Sequence, residues 1–236
     1  AQWYVQFPRE LNKLNVPFIQ IDGQMLTDKI EKGSVLDIYA TSVWKCTQLA
    51  QLISLMRTGE VTSKDTLLFA DLWYPGIESL RYISCQSGQK PCIAGILHAG
   101  TWDDHDFLVR CDMRPWAHNL EQAWLSFISL VFVATEYHKN LILKSHNVDP
   151  NKIKVTGLPF YGNELPKSSK MRDRKLVIFP HRLDPEKQPE EFDSLPSLVS
   201  LTGLKYARTY DCCKTKSEYY DLLSEAGIAV SFALQE

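Results

Sequence analysis

The chain has 236 residues, enough for one large or two modest domains with a sizeable core. Its formal net charge of −2 excludes an overall basic footprint for nucleic acid, and its 44% hydrophobic and 23% charged residues are typical of a globular protein. No apolar run approaches the roughly 20 residues that cross a bilayer, since the longest candidate, 123–134, is short and contains Ser126 and Ser129.

The six cysteines do not have the spacing of a zinc site. None forms a Cys-x-x-Cys pair or a Cys/His pair at zinc-ligand spacing. They lie in segments predicted as strand or helix, where a free cysteine behaves as a small hydrophobic side chain. The opening residues also lack the pattern of a secretory signal peptide. We therefore expect reduced thiols and a cytoplasmic location.

Strands and helices are predicted to alternate along the first two thirds of the chain. Strands are predicted at 17–22, 65–70, 91–97, 130–134 and 151–155, and helices at 24–33, 41–56, 77–87, 115–126 and 136–145. The strand segments are nearly continuous apolar runs, as in strands covered on both faces. This alternation predicts an α/β fold with a parallel, doubly wound, Rossmann-like sheet.

A polar segment rich in Gly, Pro and Ser, 161–174, predicts a linker between two domains. It separates an N-terminal α/β domain, 1–160, from a partial second α/β domain, 175–236. The second domain is predicted to contain strands at 176–179, 204–208 and 228–232, and helices at about 187–200 and 215–225.

The stretch 175–191, KLVIFPHRLDPEKQPEE, combines a short buried strand with a basic loop. The basic residues of this loop are His181, Arg182 and Lys187. The residues 184–186, Asp-Pro-Glu, have the pattern of a helix start, with a capping side chain and a proline at the first helical position. A helix N-terminus beside an Arg fork favours a bound phosphate. A surface turn with solvated charges would have the same composition.

The order HRLDPEKQPE resembles the element that opens the second domain of retaining, GT-B type glycosyltransferases of family 4. The form with Pro-His-Arg is similar to the subgroup that includes the queuosine-tRNA mannosyltransferases and related phage proteins. In that family an Arg and a Lys clasp the diphosphate of a nucleotide-sugar donor. The resemblance implies these roles for Arg182 and Lys187, while Gln188-Pro189 replaces the glycine that usually follows the lysine.

The resemblance extends over most of the chain. VATEYHKNLI, at 133–142, resembles the segment that closes the family's first domain, and KIKVTGLPF, at 152–160, resembles the strand before the domain crossover. AGIAVSFALQE, at 226–236, resembles the lead-in to the family's Glu-x7-Glu motif, with Glu236 as its first Glu. By this comparison we expect the donor site to continue past Glu236, and a strand with a glycine-rich loop to precede Ala1.

The resemblance implies transfer of a sugar from a nucleotide-diphosphate donor to a hydroxyl acceptor with retention of configuration, without a cofactor or a metal ion. It implies catalytic roles for His98 and Glu236. It implies donor contacts for Thr135, His181, Arg182 and Lys187. His98 also fits a histidine that only fixes its loop, and Thr135 fits a helix cap. The acceptor is unidentified: the subgroup suggests a nucleic acid, but the net charge gives that no support.

Aromatic and acidic residues follow two of the predicted strands. Ligands bind at the carboxyl ends of the strands in parallel sheets. The candidate acceptor contacts there are Asp71, Trp73, Trp102 and Asp103. The indole rings could stack on the ring of an acceptor. The first two residues equally fit a packed loop that turns at Pro75-Gly76.

Two other functions remain open from the sequence. His98, Asp103, Asp104 and His105 match the ligand chemistry of a metal-dependent hydrolase, although a solvated acidic loop would look the same. A non-catalytic nucleotide-binding module is the second alternative. The sequence has no Gly-x-Ser-x-Gly, Gly-x-Gly-x-x-Gly or P-loop motif, so serine-hydrolase, dinucleotide and P-loop functions lose their main support.

Overall fold

The computed structural model describes residues 2–26, 37–158, 171–198 and 203–234. The chain divides into two compact units, Ala1–Leu158 and Pro159–Glu236, and each unit contains a parallel sheet. The alternation of predicted elements therefore leads to the correct class, α/β with parallel sheets. Within the described ranges, no helix combines the length and the apolar character that crossing a bilayer requires.

The first unit is a four-stranded parallel sheet with helices between its strands. Its strands are β1 (Thr66–Phe69), β2 (Cys92–Ile96), β3 (Leu130–Val133) and β4 (Ile153–Val155). Its helices are α1 (Gln2–Lys13), α2 (Ile38–Thr58), α3 (Ile77–Ser87), α4 (Phe107–Arg110), α5 (Arg114–Phe127) and α6 (Glu136–Ser145). The strands lie in the order β1-β2-β3-β4, so the loops that follow them emerge at one edge of the sheet.

The core of the first unit draws on all four strands and on the helices that cover them. Buried members include Leu67, Leu80, Ile93, Trp124, Val131, Ile142 and Ile153. The middle of the sheet is tightly spaced: a Cβ added at Gly95 in β2 would lie 2.5 Å from the carbonyl oxygen of Phe69 in β1. A side chain larger than hydrogen therefore does not fit at this position.

Helix α2 is longer than predicted because both of its ends are capped. The Asp37 side chain accepts a hydrogen bond of 2.8 Å from the amide of Ala40. At the other end, Gly59 has a left-handed backbone with φ of 80°, and its N–H is directed to the last carbonyl oxygens of the helix. The predicted span 41–56 covers only the apolar middle of this helix.

The strand predicted at 17–22 is wrong. This segment is not part of a sheet, because its backbone is bonded to a helix instead. On α2, the side chain of Gln48 donates a hydrogen bond of 2.7 Å to the carbonyl oxygen of Ile21, and that of Gln51 donates one of 2.7 Å to the carbonyl oxygen of Asp22. Side-chain amides thus take the place that a neighbouring strand would have.

Close packing on α2 also explains Gly23. A Cβ at this position would lie 2.2 Å from the carbonyl oxygen of Trp44. The helix predicted at 24–33 is absent from residues 24–26, and residues 27–33 lie outside the described part of the chain.

The second unit is a three-stranded parallel sheet. Its strands are β5 (Asp173–Phe179), β6 (Lys205–Arg208) and β7 (Ala226–Ala229), and its helices are α7 (Pro189–Leu198), α8 (Thr209–Cys212) and α9 (Lys216–Glu225). The strand order β6-β5-β7 makes β5 the central strand. Its core is small and consists of Val177, Phe179 and Phe192 with partly buried neighbours. Strand β5 begins at Asp173, inside the predicted linker, of which residues 161–170 are not described.

The helix start predicted at 184–186 is wrong in its extent. Asp184 does act as a cap, since its side chain accepts a hydrogen bond from the Glu186 amide at 3.2 Å. The structure it caps is a single 3-10 turn, Pro185–Lys187. Gln188 then adopts a left-handed backbone with φ of 50°, and α7 begins only at Pro189. The loop after β5 therefore leads into a tight turn rather than directly into a helix.

Candidate functional site

The loop after β5 brings two basic side chains to one carboxylate. Nη2 of Arg182 lies 2.7 Å from Oε1 of Glu186, and Nε of Arg182 lies 3.3 Å from Oδ2 of Asp184. Nζ of Lys187 lies 3.7 Å from the same Glu186 oxygen. The two cations are therefore on the same side of their loop.

This arrangement leaves one cation accessible and the other sheltered. The Arg182 side chain is 44% exposed, whereas the side chains of Lys187 and Glu186 are 19% and 18% exposed. An anion arriving from solvent can thus reach the guanidinium edge directly. It can reach the lysine by replacing the Glu186 carboxylate, because that carboxylate lies at both cations.

His181 joins the carboxyl ends of two neighbouring strands. Its Nε2 lies 2.9 Å from Oγ of Ser231, which follows β7, and its ring packs edge-on against Phe179 at 5.2 Å. Further along, the amide of Leu234 donates a hydrogen bond of 2.9 Å to the Glu186 carbonyl oxygen. The residues that lead to Glu236 therefore run beside the basic loop, while Glu236 itself lies outside the described residues.

In the first unit, His98 contacts the end of a neighbouring strand. Its Nε2 lies 3.0 Å from the carbonyl oxygen of Ala70, just past β1. The charges of His98 and Asp103 also act on His138 in the first turn of α6. Burial lowers the pKa of His138, and His98 lowers it further, whereas Asp103 opposes the shift. Trp102 lies 5.6 Å from the His138 ring, so these side chains form one group.

The carboxylates of the loop 98–106 each make a local contact. Asp103 accepts a hydrogen bond of 2.8 Å from the amide of His105, and Asp106 caps α4 by accepting one from its backbone. Asp104 is hydrogen-bonded to Arg114, which lowers the pKa of that carboxyl below its usual value. In the described residues, the side chains that approach closely enough to share a metal ion lie elsewhere.

The loop after β1, which holds two of the predicted acceptor residues, is fixed to α2. Asp71 accepts a hydrogen bond of 3.0 Å from the Trp73 amide, which forms a tight turn. Lys45 on α2 donates to the Trp73 carbonyl oxygen at 2.8 Å, and the Tyr74 hydroxyl donates back to the Lys45 carbonyl oxygen. Burial lowers the pKa of Lys45 and raises the pKa of Tyr74 to about 12.

A buried carboxylate, Glu121 on α5, connects the loops after β1 and β2. It is 2% exposed. The indole N–H of Trp73 donates to its Oε1 at 2.9 Å, and the amide of Thr101 donates to the same oxygen at 3.0 Å. The Thr101 hydroxyl donates to Oε2, and Nε2 of the buried His146 lies 3.3 Å from that oxygen. We refer to these contacts as the Glu121 network.

The structure groups the predicted site residues within each unit. His98, Trp102 and Asp103 share one loop. Thr135 belongs to the same neighbourhood, because it caps α6 by accepting a hydrogen bond of 3.1 Å from the His138 amide. In the second unit His181, Arg182 and Lys187 lie together after β5. Their roles in catalysis and binding remain predictions.

Sequence reasoning missed several residues of these sites. They are Glu121, His146 and Glu186. The spacing His118-x-x-Glu121 was a usable signal, because residues three apart share a helix face. The approach of His146 to that face had no signal in the sequence.

Comparison with known proteins adds no assignment. The chain matches no protein-family model, and no curated protein is significantly similar to it.

Proposed function

We propose that this protein is a retaining glycosyltransferase of the GT-B type that uses a nucleotide-diphosphate sugar as donor. The observation that carries the proposal is the convergence of Arg182 and Lys187 on one oxygen of Glu186. This point lies at the carboxyl end of the central strand of a parallel sheet, where such folds bind ligands. The sequence HRLDPEKQPE supports the same assignment.

The reaction breaks the bond between the anomeric carbon and the diphosphate and forms a bond to an acceptor hydroxyl on the same face. Negative charge grows on the leaving diphosphate during this step. Fixed cations directed at that charge lower the barrier, because they need not reorganise as it develops. The guanidinium of Arg182 matches two phosphate oxygens at once, and Lys187 supplies a point charge.

In this proposal Glu186 occupies the two cations until the donor binds. It holds the two cations together by supplying a negatively charged oxygen in the donor's absence. A diphosphate carries more negative charge than a carboxylate. It can therefore displace Glu186 from Arg182 and Lys187. Binding is then an exchange of anions, and each cation is already oriented when the donor arrives.

Donor binding is tested by calorimetry with a panel of uridine and guanosine diphosphate sugars. Arg182→Ala and Lys187→Ala should each weaken binding roughly 10- to 100-fold, because each removes a charge-assisted hydrogen bond. The matched control is Lys205→Ala. Lys205 begins β6, and pairs with Asp173 at 2.9 Å at the amino edge of the same sheet. Its loss should leave donor affinity unchanged.

The outcomes separate the proposal from the alternatives. Equal donor affinity in the Arg182→Ala variant and the wild type would refute the assignment of this loop. Donor binding without sugar transfer to any offered hydroxyl compound would favour a non-catalytic nucleotide-binding module. Retention is checked by the anomeric configuration of the product in a proton NMR spectrum.

The hydrolase alternative has weaker support. It requires His98, Asp103, Asp104 and His105 to share a metal ion. Asp104 is hydrogen-bonded to Arg114, and Asp103 to the backbone of its own loop. Among the described residues, the side chains that approach closely enough to share a metal ion are not those of this loop.

A further inference from the structure

Two helices of the first unit bring three metal-binding side chains together. His118 and Glu121 lie three residues apart on α5 and so project from the same face of that helix. His146 is the residue that caps the C-terminus of α6, where its amide donates to the Ile142 carbonyl oxygen. One ligand atom from each of the three side chains lies within 4.8 Å of the other two.

The imidazole of His146 is directed into this group without a hydrogen bond there. Its side chain is fully buried and its Nε2 lies 3.3 Å from Oε2 of Glu121. Within the part of the chain that is described, this nitrogen has no hydrogen-bond partner. A buried polar atom without a partner is costly, so its position needs an explanation.

The other ring nitrogen of His146 lies beside the preceding residue, Ser145. Its Nδ1 lies 2.7 Å from Oγ of Ser145, and the Ser145 hydroxyl donates to the Ile142 carbonyl oxygen at 3.3 Å. With the Nδ1 proton directed to Ser145, the lone pair of Nε2 faces the Glu121 carboxylate, and a cation between the two atoms would bind both.

Hydrogen bonds orient the Glu121 carboxylate, as they commonly do for carboxylates that bind metals. Trp73 and the Thr101 amide donate to its Oε1 at 2.9 and 3.0 Å, and the Thr101 hydroxyl donates to its Oε2, so the carboxylate is held in one orientation. The ring of Trp102 packs edge-on against His146 at 5.8 Å. His118 is the partly exposed member, so an ion can enter from its side.

We propose that His118, Glu121 and His146 bind one divalent transition-metal ion. Two imidazoles and one carboxylate suit zinc or iron(II), whereas calcium and magnesium prefer oxygen ligands alone. The ion would connect the middle of α5 to the C-terminal end of α6. This site is independent of the glycosyltransferase proposal, because none of its three ligands was assigned a part in sugar transfer.

The site is tested on the full chain. The protein as purified is analysed for transition metals, stripped with EDTA, dialysed, and titrated with zinc chloride in a calorimeter. We expect a single zinc per chain and a higher melting temperature in zinc. His118→Ala should weaken binding by more than about 10-fold, since loss of even an outer partner costs 10- to 100-fold. Asn119→Ala, the control, changes an exposed side chain of α5 next to His118 and should bind as the wild type does.

A second variant keeps the test decisive if a direct ligand cannot be removed without unfolding. Trp73→Phe removes one hydrogen bond to Glu121 and should weaken zinc binding about 10- to 100-fold. Far-UV circular dichroism in EDTA establishes that each variant is folded. The proposal is overturned if the wild type binds neither zinc nor iron(II), or if His118→Ala binds as tightly as the wild type.

Discussion

At the scale of single residues, the Glu121 network shows how a buried charge can hold two loops in place. Its carboxylate receives hydrogen bonds from Trp73 in the loop after β1 and from Thr101 in the loop after β2. These are the loops that carry the candidate acceptor residues. A buried carboxylate is tolerated only when such donors surround it. The network therefore fixes the backbone from which those side chains project.

Replacing Thr101 by valine tests the strength of this network. Thr101→Val keeps the side-chain shape but removes the hydroxyl that donates to Glu121. We expect the free energy of unfolding to fall by about 1.5–3 kcal/mol, the usual contribution of a hydrogen bond to a charged group. Urea unfolding followed by circular dichroism measures the change.

The control for this change is Thr58→Val. Thr58 is exposed at the end of α2, where its hydroxyl contacts Glu60 at 2.9 Å. Its loss should change the free energy of unfolding by less than about 0.5 kcal/mol. If the two variants lose the same free energy of unfolding, the buried Thr101 contact stabilises the protein no more than an exposed contact does. That result would contradict the role inferred for the Glu121 network.

At the scale of elements, the turn 184–188 departs from the helix start that its sequence predicts. The Asp-Pro-Glu pattern correctly predicts a capped turn. The same pattern is found at an isolated turn and at the first turn of a helix, so it does not distinguish the two. Pro189 settles the matter, because the residue before a proline is disfavoured in the helical region. Gln188 takes the left-handed conformation instead. This is the position where the resembling family has glycine.

The backbone of Gln188 leads to a prediction about this turn. Gln188→Gly should be neutral or should raise the free energy of unfolding by up to about 1 kcal/mol, because glycine adopts φ of this sign without the cost that other residues bear. Gln188→Val should lower it by about 1 kcal/mol or more, since a β-branched residue is disfavoured there. Chemical unfolding of both variants measures the difference.

An exposed glutamine inside a helix is the matched control. Gln86 lies in α3, where glycine is disfavoured, so Gln86→Gly should lower the free energy of unfolding by about 1 kcal/mol. Opposite or unequal effects of the two Gln→Gly changes would support the left-handed turn. Equal losses at both positions would contradict it.

At the scale of the whole molecule, the sequence predicted what depends on local patterns and missed what depends on contacts between distant segments. Continuous apolar runs located strands such as β2 and β3, because strands covered on both faces have that composition. The segment 17–22, with Phe18, Ile19 and Ile21, was also predicted as a strand, but glutamines of α2 bind its backbone. Glu121 and His146 meet only because α5 and α6 pack on the same sheet. No local pattern encodes such a meeting.

The two units of the chain are expected to unfold in separate steps. The core of the first unit includes buried side chains from four strands and several helices, whereas the core cluster among the described residues of the second unit consists of Val177, Phe179 and Phe192. A smaller core buries a smaller share of its chain and is less stable. Differential scanning calorimetry should therefore show two transitions, with the second unit unfolding at the lower temperature.

Core truncations in each unit test this. Leu80→Ala should reduce only the higher transition temperature, and Phe192→Ala only the lower one. Each change should cost its own unit about 2–5 kcal/mol of unfolding free energy. A single transition that both variants shift equally would show that the two units unfold together, which would contradict the prediction.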